Sequence, residues 1–477
     1  MINADARKFN YADAGNLNNG KQSVNIPIIK VSSSSPEVAR LSSRPVAGDR
    51  GVEKLVREIL AEVKSGGAEA AIKFAKKYDG LTANTLKISP ADIKKSAASL
   101  SLELQIALKK AIINVRTFHK KQVEKSWDFR GKDGEILGQK IRPLNRVGLY
   151  VPGGAGVYPS TLIMNAVPAI VAGVKELVVV SPAKGGLQAS VAFVLHELGI
   201  KEVYHIGGAQ AIGLLAYGSG NGKSEKKGGR NGVSKNGQFE IAPVDKIVGP
   251  GNVFAATAKR EVFGIVDIDM IAGPSEIAVL ADETANAEWV AADMLSQAEH
   301  GSGFEASVCV TNSPKFAKEV AKHIAEQVEK SPKREILEKS LNAYGRILLA
   351  KNMESAAEIV NKIAPEHLEI IAENQDELEK LITNAGAIFV GSYSSEPVGD
   401  YFAGPNHVLP TNGTARFASP LGVYDFLKRT SIIRYNQKAL LKNGRSIAAI
   451  AHSEGFYHHA RAVEIRLDTK RGSHRRG

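Results

Sequence analysis

The sequence predicts an α/β protein with two doubly wound, incomplete Rossmann-like domains, a small helical C-terminal unit and an N-terminal arm. Short apolar runs alternate with helical stretches from Arg146 to Val248, and a second alternating series extends from Glu276 to Val390. Such alternation is typical of βαβ units around a mostly parallel sheet. The length of 477 residues also exceeds what one hydrophobic core usually holds.

Two amphipathic helices are predicted first, over Val52–Tyr78 and Leu102–Val123, because apolar residues recur there at helical spacing. The strands of the first series are predicted at Val147–Val151, Leu177–Val180, Glu202–Ile206 and Lys246–Val248. Its helices are predicted at Met164–Ala172, Leu187–Leu198 and Ala209–Tyr217.

The strands of the second series are predicted at Glu276–Leu280, Ala306–Val310, Arg346–Ala350 and Ala387–Val390. Its helices are predicted at Asn286–Glu299, Pro314–Glu329 and Met353–Ile363, and a helical unit follows from about Gly422. The expected segments are an arm (1–45), a first α/β domain (46–148 with 275–420), a second α/β domain (149–274), a C-terminal unit (421–467) and a basic tail (468–477).

Composition narrows the class of protein. Hydrophobic residues make up 43% and charged residues 23%, as in an ordinary globular enzyme. No uninterrupted run of 18 apolar residues is present and the first 20 residues carry no apolar signal region, so neither a membrane span nor secretion is expected. One cysteine, Cys309, excludes an internal disulfide framework, and the cytoplasm is the expected compartment.

The net charge of +12 is concentrated in two polar segments. Residues 218–237 contribute +4 and residues 468–477 contribute +3, and both segments are predicted to be disordered. Gly218–Ser224 resembles a phosphate-binding loop but is one residue short and follows a helix. Because a nucleic-acid footprint needs basic residues on a folded face, no nucleic-acid partner is expected. A nucleic-acid-binding protein remains an alternative, which deletion of both segments would test.

Four separated stretches offer metal ligands or acid–base groups, and five of the 11 histidines lie in them. They are Ser296–His300, Ala364–His367, Gly399–His407 and Glu454–His459. Imidazole and carboxylate groups are common zinc ligands and common proton carriers near neutral pH. The sequence therefore predicts a metal-assisted active site assembled from distant segments.

Each stretch also has a plainer interpretation. Gln297 and His300 share one helix face and can reach one ion, or can serve a helix end. Glu366 and His367 follow Pro365, which places them on a turn or strand entry, where one can activate water and the other move protons. The remaining candidates are Asp400 and His407 in a glycine- and proline-rich loop, and Glu454 with His458 at helical spacing.

Glycine-rich turns after three predicted strands indicate a nucleotide-binding edge. Gly153–Pro159 lacks the third glycine of the dinucleotide fingerprint, and Pro159 stands in its place. The turns Gly207–Gln210 and Gly249–Asn252 each follow a strand and open a helix. Backbone amides at such helix starts suit a pyrophosphate.

Together these residues resemble the histidinol dehydrogenase family over roughly residues 50–467. The resemblance rests on ordered matches at 146–154, 207–212, 249–252, 271–276, 296–301, 364–368, 404–411 and 419–426. It implies a zinc- and NAD-dependent four-electron oxidation of L-histidinol to L-histidine through L-histidinal, the last step of histidine biosynthesis.

The resemblance also implies roles for individual residues. Glu366 and His367 would be the acid–base pair, and Ser275, His367, His407 and Glu454 would contact substrate. Zinc would be bound by Gln297, His300, Asp400 and His459. These four residues would also contact the substrate. The register from Glu454 favours His459 over His458. Tyr150, Gln210 and Asn252 would bind NAD. Residues 421–467 would form a dimerisation unit, so that Glu454 and His459 complete the neighbouring subunit's site in a homodimer.

Two other enzyme classes are weighed against this one. An aldehyde dehydrogenase would use an activated thiolate, but Cys309 lies in an apolar predicted strand, which favours an inert buried thiol. A zinc hydrolase using Glu366 to activate water would not need the glycine-rich strand ends. Zinc-dependent activity without NAD would reveal such a hydrolase.

Overall fold

The computed structural model describes residues 25–44, 50–153, 158–182, 186–219 and 241–468. These residues fall into two units. Unit 1 contains the residues up to Arg44, Pro274–Glu396 and Thr411–Phe417, and unit 2 contains Pro45–Gly273, Pro397–Pro410 and the residues from Ala418.

The strands are β1 (Ile28–Lys30), β2 (Trp127–Arg130), β3 (Ile136–Pro143), β4 (Arg146–Tyr150), β5 (Glu176–Ser181), β6 (Glu202–His205), β7 (Lys246–Val248), β8 (Asp267–Ile268), β9 (Glu276–Ala281), β10 (Ala306–Thr311), β11 (Gly345–Leu349), β12 (His367–Ile371), β13 (Ala387–Val390) and β14 (Leu427–Arg434).

The helices are α1 (Pro36–Ser42), α2 (Arg50–Phe74), α3 (Pro90–Ala97), α4 (Leu102–His119), α5 (Pro159–Ala172), α6 (Ala189–Glu197), α7 (Gly208–Tyr217), α8 (Val253–Val262), α9 (Ala287–Ala298), α10 (Pro314–Lys330), α11 (Arg334–Tyr344), α12 (Met353–Ile363), α13 (Gln375–Leu381), α14 (Glu396–Val398), α15 (Gln437–Ser453) and α16 (Tyr457–Leu467). Within the described ranges, none of them has both the length and the apolar character needed to cross a bilayer.

Unit 1 is built on a six-stranded parallel sheet in the order β1-β11-β10-β9-β12-β13. One face packs on α9, α10 and α11, and the other on α1, α12 and α13. The chain proceeds outward from β9 through β10 and β11, then returns to the other side of β9 as β12, so the sheet is doubly wound. This part of the predicted fold class is confirmed.

Unit 2 contains a five-stranded parallel sheet in the order β6-β5-β4-β7-β8, which is doubly wound about the junction of β4 and β7. The apolar face of α2 packs in the same core as α7, through Val56, Ile59 and Leu60 against Leu214 and Leu215. Residues 46–148 were expected with residues 275–420, but this packing places them in unit 2. The sequence shows which face of α2 is apolar but not which element covers it. The packing of that face in the core with α7 places these residues in unit 2.

The segment expected to be an N-terminal arm belongs in part to the unit 1 sheet. Strand β1 pairs in parallel with β11, with Ile28 opposite Ile347. Val38 and Leu41 of α1 are buried in the core against β9 and β10. Of the predicted arm (1–45), residues 25–44 are therefore an integral part of the unit, while residues 1–24 and 45 lie outside the described residues.

The sequence suggested that the C-terminal stretch is helical throughout, but the structure shows that it is not. It begins with β14, which pairs antiparallel with β3 in a three-stranded sheet completed by β2. Both faces of β14 are largely exposed, so its sequence carries no buried alternation that would have predicted a strand. The two helices that follow, α15 and α16, confirm the helical unit.

At the start of the basic insertion predicted at 218–237, the chain is hydrogen-bonded to the residue at which the described chain resumes. Ser219 and Ile241 are joined by hydrogen bonds from Ser219 N to Ile241 O at 2.9 Å and from Ile241 N to Ser219 Oγ at 2.6 Å. Almost all of both basic segments, and most of the phosphate-loop resemblance, lie outside the described residues, at 220–240 and 469–477. Residues 154–157 of the first glycine turn also lie outside them. The described residues on either side of 220–240 are therefore directly bonded to each other.

The turn after β7 is held by a buried ion pair. Gly249 has φ +113°, and a Cβ there would lie 2.1 Å from the carbonyl oxygen of Tyr150, so only glycine fits. Asp269 accepts a hydrogen bond from Gly249 N at 2.7 Å, and Lys259 Nζ donates to Gly249 O at 3.0 Å. The Lys259 and Asp269 side chains are paired and only 3% and 1% exposed. The turn is therefore preformed at the switch point of the sheet.

Breaking this ion pair should destabilise the chain strongly. We expect Lys259→Met to lower the free energy of unfolding by about 3–5 kcal/mol, because Asp269 is left as an unpaired buried charge. The matched control, Arg57→Met, breaks the exposed Arg57–Glu261 pair and should change stability far less, because solvent screens that pair. Urea titration of both variants measures the difference, and equal losses would contradict the structural role of Lys259.

Candidate active site

The predicted acid–base residues lie at the amino end of β12, beside the amino end of β9, in unit 1. His367 is the first residue of β12 and pairs with Ile277 of β9, and Glu366 precedes it. Helix α12 ends at Ile363, and Ala364 takes a left-handed conformation with φ 50° before Pro365. The expected turn and strand entry at Pro365 is thus what the structure shows.

The backbone N–H and the backbone carbonyl oxygen of one residue, Glu276, hold both side chains. The backbone N–H of Glu276 donates to Glu366 Oε2 at 3.0 Å, and the Glu276 carbonyl oxygen accepts a hydrogen bond from His367 Nδ1 at 3.1 Å. Because a carbonyl oxygen only accepts, Nδ1 must carry the proton. A neutral His367 therefore presents its basic lone pair at Nε2. Both side chains are buried, so the pair is held in one arrangement.

The start of β9 is itself fixed by a buried ion pair that the sequence did not reveal. Arg44 and Glu276 lie 3.0 Å apart with side chains 1% and 2% exposed. Arg44 also donates to the carbonyl oxygens of Phe304 at 2.6 Å and Pro274 at 3.1 Å, and Asn412 N donates to the Glu276 carboxylate. Burial raises the pKa of Glu276, and the Arg44 charge opposes that rise. The ion pair and these hydrogen bonds together hold Glu276, whose backbone contacts the acid–base pair, in place.

Gln297 and His300 are brought together at the end of α9, as predicted. His300 Nδ1 donates to the backbone oxygen of Gln297 at 3.0 Å, which leaves Nε2 as the ring's lone pair. Gln297 is fully buried, and its Oε1 has no hydrogen-bond partner among the described residues. A buried acceptor without a donor beside an oriented imidazole fits a cation that takes oxygen and nitrogen ligands. Ser275 lies half-buried just before β9.

A cluster of buried acids on the same face of the sheet was missed by the sequence analysis. Glu369, two residues after His367 on β12, accepts a hydrogen bond from Glu396 N at 2.7 Å. The Glu396 carboxylate accepts from Ser296 Oγ at 3.0 Å, and one of its oxygens lies within 4.8 Å of a ring nitrogen of His367. Alternation along β12 puts 367 and 369 on one face, and this was the available signal.

Burial raises the pKa of Glu369 to about 9, and the charge of Asp293 on α9 adds to the rise. Burial also raises the pKa of Asp293, so the protonated form is favoured at both carboxyl groups. Two neighbouring buried carboxyl groups keep one proton between them, because ionising both would place two negative charges next to each other in a site shielded from water. Near neutral pH the folded chain therefore retains one proton here.

The other candidate residues lie in unit 2. Asp400 is in a helical turn, Gly399–Ala403, and its carbonyl oxygen accepts a hydrogen bond from His407 Nδ1 at 2.9 Å. Asn406, beside His407, donates to the Met164 carbonyl oxygen at 2.7 Å. The loop is therefore ordered, and His407 is oriented with its lone pair at Nε2.

Glu454 and His458 do not share a helix, contrary to the helical spacing that the sequence suggested. Helix α15 ends at Ser453, Gly455 has φ 78°, and α16 begins at Tyr457. Glu454, His458 and His459 are all exposed. This removes the simple interpretation of a helical Glu–His pair.

The three predicted nucleotide contacts lie at the carboxyl edge of the unit 2 sheet. Tyr150 ends β4, Gln210 lies in the first turn of α7 after β6, and Asn252 caps α8 by accepting hydrogen bonds from Phe254 N and Ala255 N at 3.1 Å. This is the edge where open α/β sheets bind ligands. Burial raises the pKa of Tyr150 to about 12, so its hydroxyl keeps its proton.

A family model described as histidinol dehydrogenase matches residues 42–467. The chain belongs to the histidinol dehydrogenase family. Histidinol dehydrogenases of Halalkalibacterium halodurans and Bacillus licheniformis are each 49% identical to it, over 88% of this chain and 95% and 94% of theirs. The crystal structure of histidinol dehydrogenase from Elizabethkingia anophelis is similar, with a TM-score of 0.82 and 32% identity over 90% of this chain and 95% of that one. The chain is thus an oxidoreductase, and the predicted family is confirmed.

The proton shared by Glu369 and Asp293 should make stability depend on pH. Because the folded pKa of Glu369 lies above its ordinary value of 4.5, stability is full below that value and falls as pH rises toward about 9. Glu369→Gln removes this loss, so its stability relative to the original chain should increase from pH 5.5 to pH 8.5. Urea midpoints at three pH values measure this effect. The exposed control Glu373→Gln should show no such trend, and a flat difference for Glu369→Gln would contradict a retained proton.

Proposed function

We propose that the chain oxidises L-histidinol to L-histidine through L-histidinal, with NAD as oxidant and zinc as the bound metal. This is the last step of histidine biosynthesis. The observation that carries the proposal is the backbone of Glu276, whose N–H holds Glu366 and whose carbonyl oxygen sets the tautomer of His367. The family membership supplies the substrate class, since the relatives carry the name histidinol dehydrogenase.

The first oxidation needs a base. An alcohol carbon gives up a hydride only as its hydroxyl loses a proton, and the His367 Nε2 lone pair can accept that proton. The Glu276 carbonyl oxygen stabilises the resulting imidazolium through Nδ1. The product at this stage is an aldehyde.

The second oxidation needs a hydrate. A water molecule must add to the aldehyde before a second hydride can leave, and Glu366 is placed to remove a proton from that water. Glu366 accepts a hydrogen bond from Glu276 N through Oε2, which fixes the carboxylate as an acceptor. As the hydrate forms, the His367 imidazolium left by the first oxidation gives its proton to the aldehyde oxygen and becomes neutral again. His367 then accepts the hydroxyl proton of the hydrate as the second hydride leaves, and the carboxylic acid forms.

The proposed cofactors, NAD and zinc, are assigned to the residues that could bind them. Tyr150, Gln210 and Asn252 are proposed to bind NAD, which when bound accepts one hydride in each oxidation. Gln297, His300, Asp400 and His459 are proposed to bind zinc, which when bound orients the amino alcohol and its imidazole. The unpartnered Gln297 Oε1 and the oriented His300 support the metal assignment from unit 1. Ser275, His407 and Glu454 are proposed as further substrate contacts.

The thiolate route of an aldehyde dehydrogenase is disfavoured by Cys309. The residue is fully buried in the middle of β10, between β9 and β11. Burial raises the pKa of its thiol to about 12, so almost no thiolate exists near neutral pH. Activation of water by Glu366 accounts for the second oxidation without a covalent intermediate.

The direct experiment follows NADH formation from L-histidinol before and after chelation of divalent metal, and after zinc is restored. We expect two NADH per histidinol, loss of turnover on chelation, and recovery with zinc. Absence of NADH with a zinc-loaded chain would overturn the proposal. Hydrolysis without NAD would instead favour the zinc hydrolase.

His367→Asn should slow turnover severely while zinc remains bound. Asparagine keeps a side-chain donor for the Glu276 carbonyl oxygen but has no basic lone pair to accept the substrate proton. General-base catalysis contributes about 10²–10⁴-fold, so kcat should fall by that factor. Metal analysis of the variant provides the second measurement. Loss of zinc would mean that His367 serves as a ligand rather than a base.

A homodimer with shared sites is proposed because Glu454 and His459 are exposed on their own subunit. His459→Ala should lower zinc content, and mixing it with the inactive Glu366→Gln chain should restore part of the activity through mixed dimers. His458→Ala is the matched control and should keep its zinc. Absence of any recovery on mixing would contradict sites shared between subunits. The cytoplasm remains the predicted compartment.

A further inference from the structure

Asp79 lies beside the proposed nucleotide contacts, and the sequence analysis assigned it no role. It is the last residue of a π-helical turn, Ala75–Asp79, that extends α2, and Gly80 ends this turn with φ 69°. Its carboxylate accepts hydrogen bonds from Gly207 N at 2.9 Å and from Gln210 Nε2 at 3.1 Å, both through Oδ2. Asp79 therefore touches both the backbone where α7 begins and a side chain proposed to bind NAD.

The bond to Asp79 determines which way the Gln210 amide faces. A carboxylate oxygen attracts the amide nitrogen and repels the amide oxygen, so Nε2 must face Asp79. The whole amide lies beside Gly208, where a Cβ would lie 3.0 Å from Oε1 and 3.2 Å from Nε2. With Nε2 bonded to Asp79, Oε1 is the amide atom left to accept a hydrogen bond from a ligand. Gln210 is only 2% exposed, so few other amide orientations are open to it.

Tyr150 completes this arrangement from the other side of Gly208. Its hydroxyl oxygen accepts a hydrogen bond from Gly208 N at 3.0 Å. Accepting this bond leaves the hydroxyl hydrogen able to donate to a further group. Gly208 is thus flanked by an amide oxygen that accepts and a hydroxyl that donates, which complements a hydroxyl or carboxamide group.

Asp79 also uses the helix-start amide that would otherwise attract phosphate. Gly207 N, the N-cap amide of α7, already donates to the carboxylate. A second anion at this place would meet the negative charge of Asp79. The local chemistry therefore suits an uncharged part of a nucleotide.

We propose that Asp79 is a positioning residue for cofactor binding: it orients the Gln210 amide so that Gln210 and Tyr150 together receive an uncharged hydroxyl or carboxamide group of NAD. This inference rests on the proposed function, because it takes Gln210 and Tyr150 as NAD contacts. Asp79 acts through Gln210 and does not itself bind the cofactor.

A double-mutant cycle on the zinc-loaded enzyme tests the proposal. Asp79→Ala should raise the KM for NAD about tenfold, as expected when a hydrogen bond to a charged group is lost, while kcat and the KM for L-histidinol stay within about twofold. Gln210→Ala should raise the KM for NAD by a similar factor. In the Gln210→Ala background, Asp79→Ala should have almost no further effect.

Controls separate positioning from loss of structure. Asp79→Asn keeps an acceptor for Gly207 N without the charge, and should have a smaller effect on the KM for NAD than Asp79→Ala. Asp128→Ala, at an exposed position of β2, should leave all three parameters unchanged. If Asp79→Ala changes kcat and both KM values together, or adds fully to Gln210→Ala, the positioning role is wrong.

The outcomes also distinguish this inference from the proposed function. If Gln210→Ala raises the KM for NAD and Asp79→Ala does not, the role of Asp79 fails while the NAD assignment holds. If the unaltered chain forms no NADH from L-histidinol, the proposed function itself fails. Direct measurement of NAD binding by titration calorimetry should reproduce the same non-additive pattern as the KM values.

Discussion

The proposed chemistry depends on the backbone of Glu276, whose N–H donates to Glu366 and whose carbonyl oxygen accepts from His367. Backbone N–H and carbonyl groups cannot change protonation state or rotamer, so this backbone is a more rigid partner than a side chain would be. It fixes a carboxylate as an acceptor and an imidazole as a base at one time. The pair then needs no reorganisation before proton transfer, which is the physical meaning of preorganisation.

Buried charges fix the backbone at Glu276 and the residues around it. The Arg44–Glu276 pair holds the start of β9, and the carboxyl groups of Glu369 and Asp293 share a proton on the face that carries His367. Such groups add little net stability compared with apolar residues of similar size, and they are costly when one partner is lost. Their presence beside the acid–base pair is better explained by positioning than by stability.

Unit 2 uses the same physical means at its nucleotide edge. The Lys259–Asp269 pair holds both polar groups of Gly249, and Asp79 holds Gly207 and Gln210. In each turn a buried carboxylate accepts from a glycine amide after a parallel strand. The glycines allow the close approach, and the carboxylates fix the conformation that glycine alone would leave free.

The parallel strands β4–β7, β9–β11 and β13 were largely predictable, because strands of parallel sheets are nearly continuous apolar runs. Of β12 only the entry at Glu366 and His367 was anticipated, because His367 and Glu369 interrupt its apolar run. The exposed strands β2 and β14 were not, since neither alternates between a buried and an exposed face. The same difference explains why residues 46–148 were assigned to the wrong domain. An amphipathic helix shows which face it buries but not what covers that face.

By itself, the sequence determined the family, the fold class and the residue types that can carry acid–base and ligand chemistry, because these follow from local spacing and ordered motifs. It did not disclose Arg44, Asp79, Glu369 or Glu396, whose importance comes only from what they touch. Gln297 and His300 are close in sequence, whereas Glu276 and Glu366 meet across 90 residues. Only the tertiary structure decided which atom of His367 is basic and which way Gln210 faces, because a proton's position and an amide's orientation depend on neighbours that are distant in the chain.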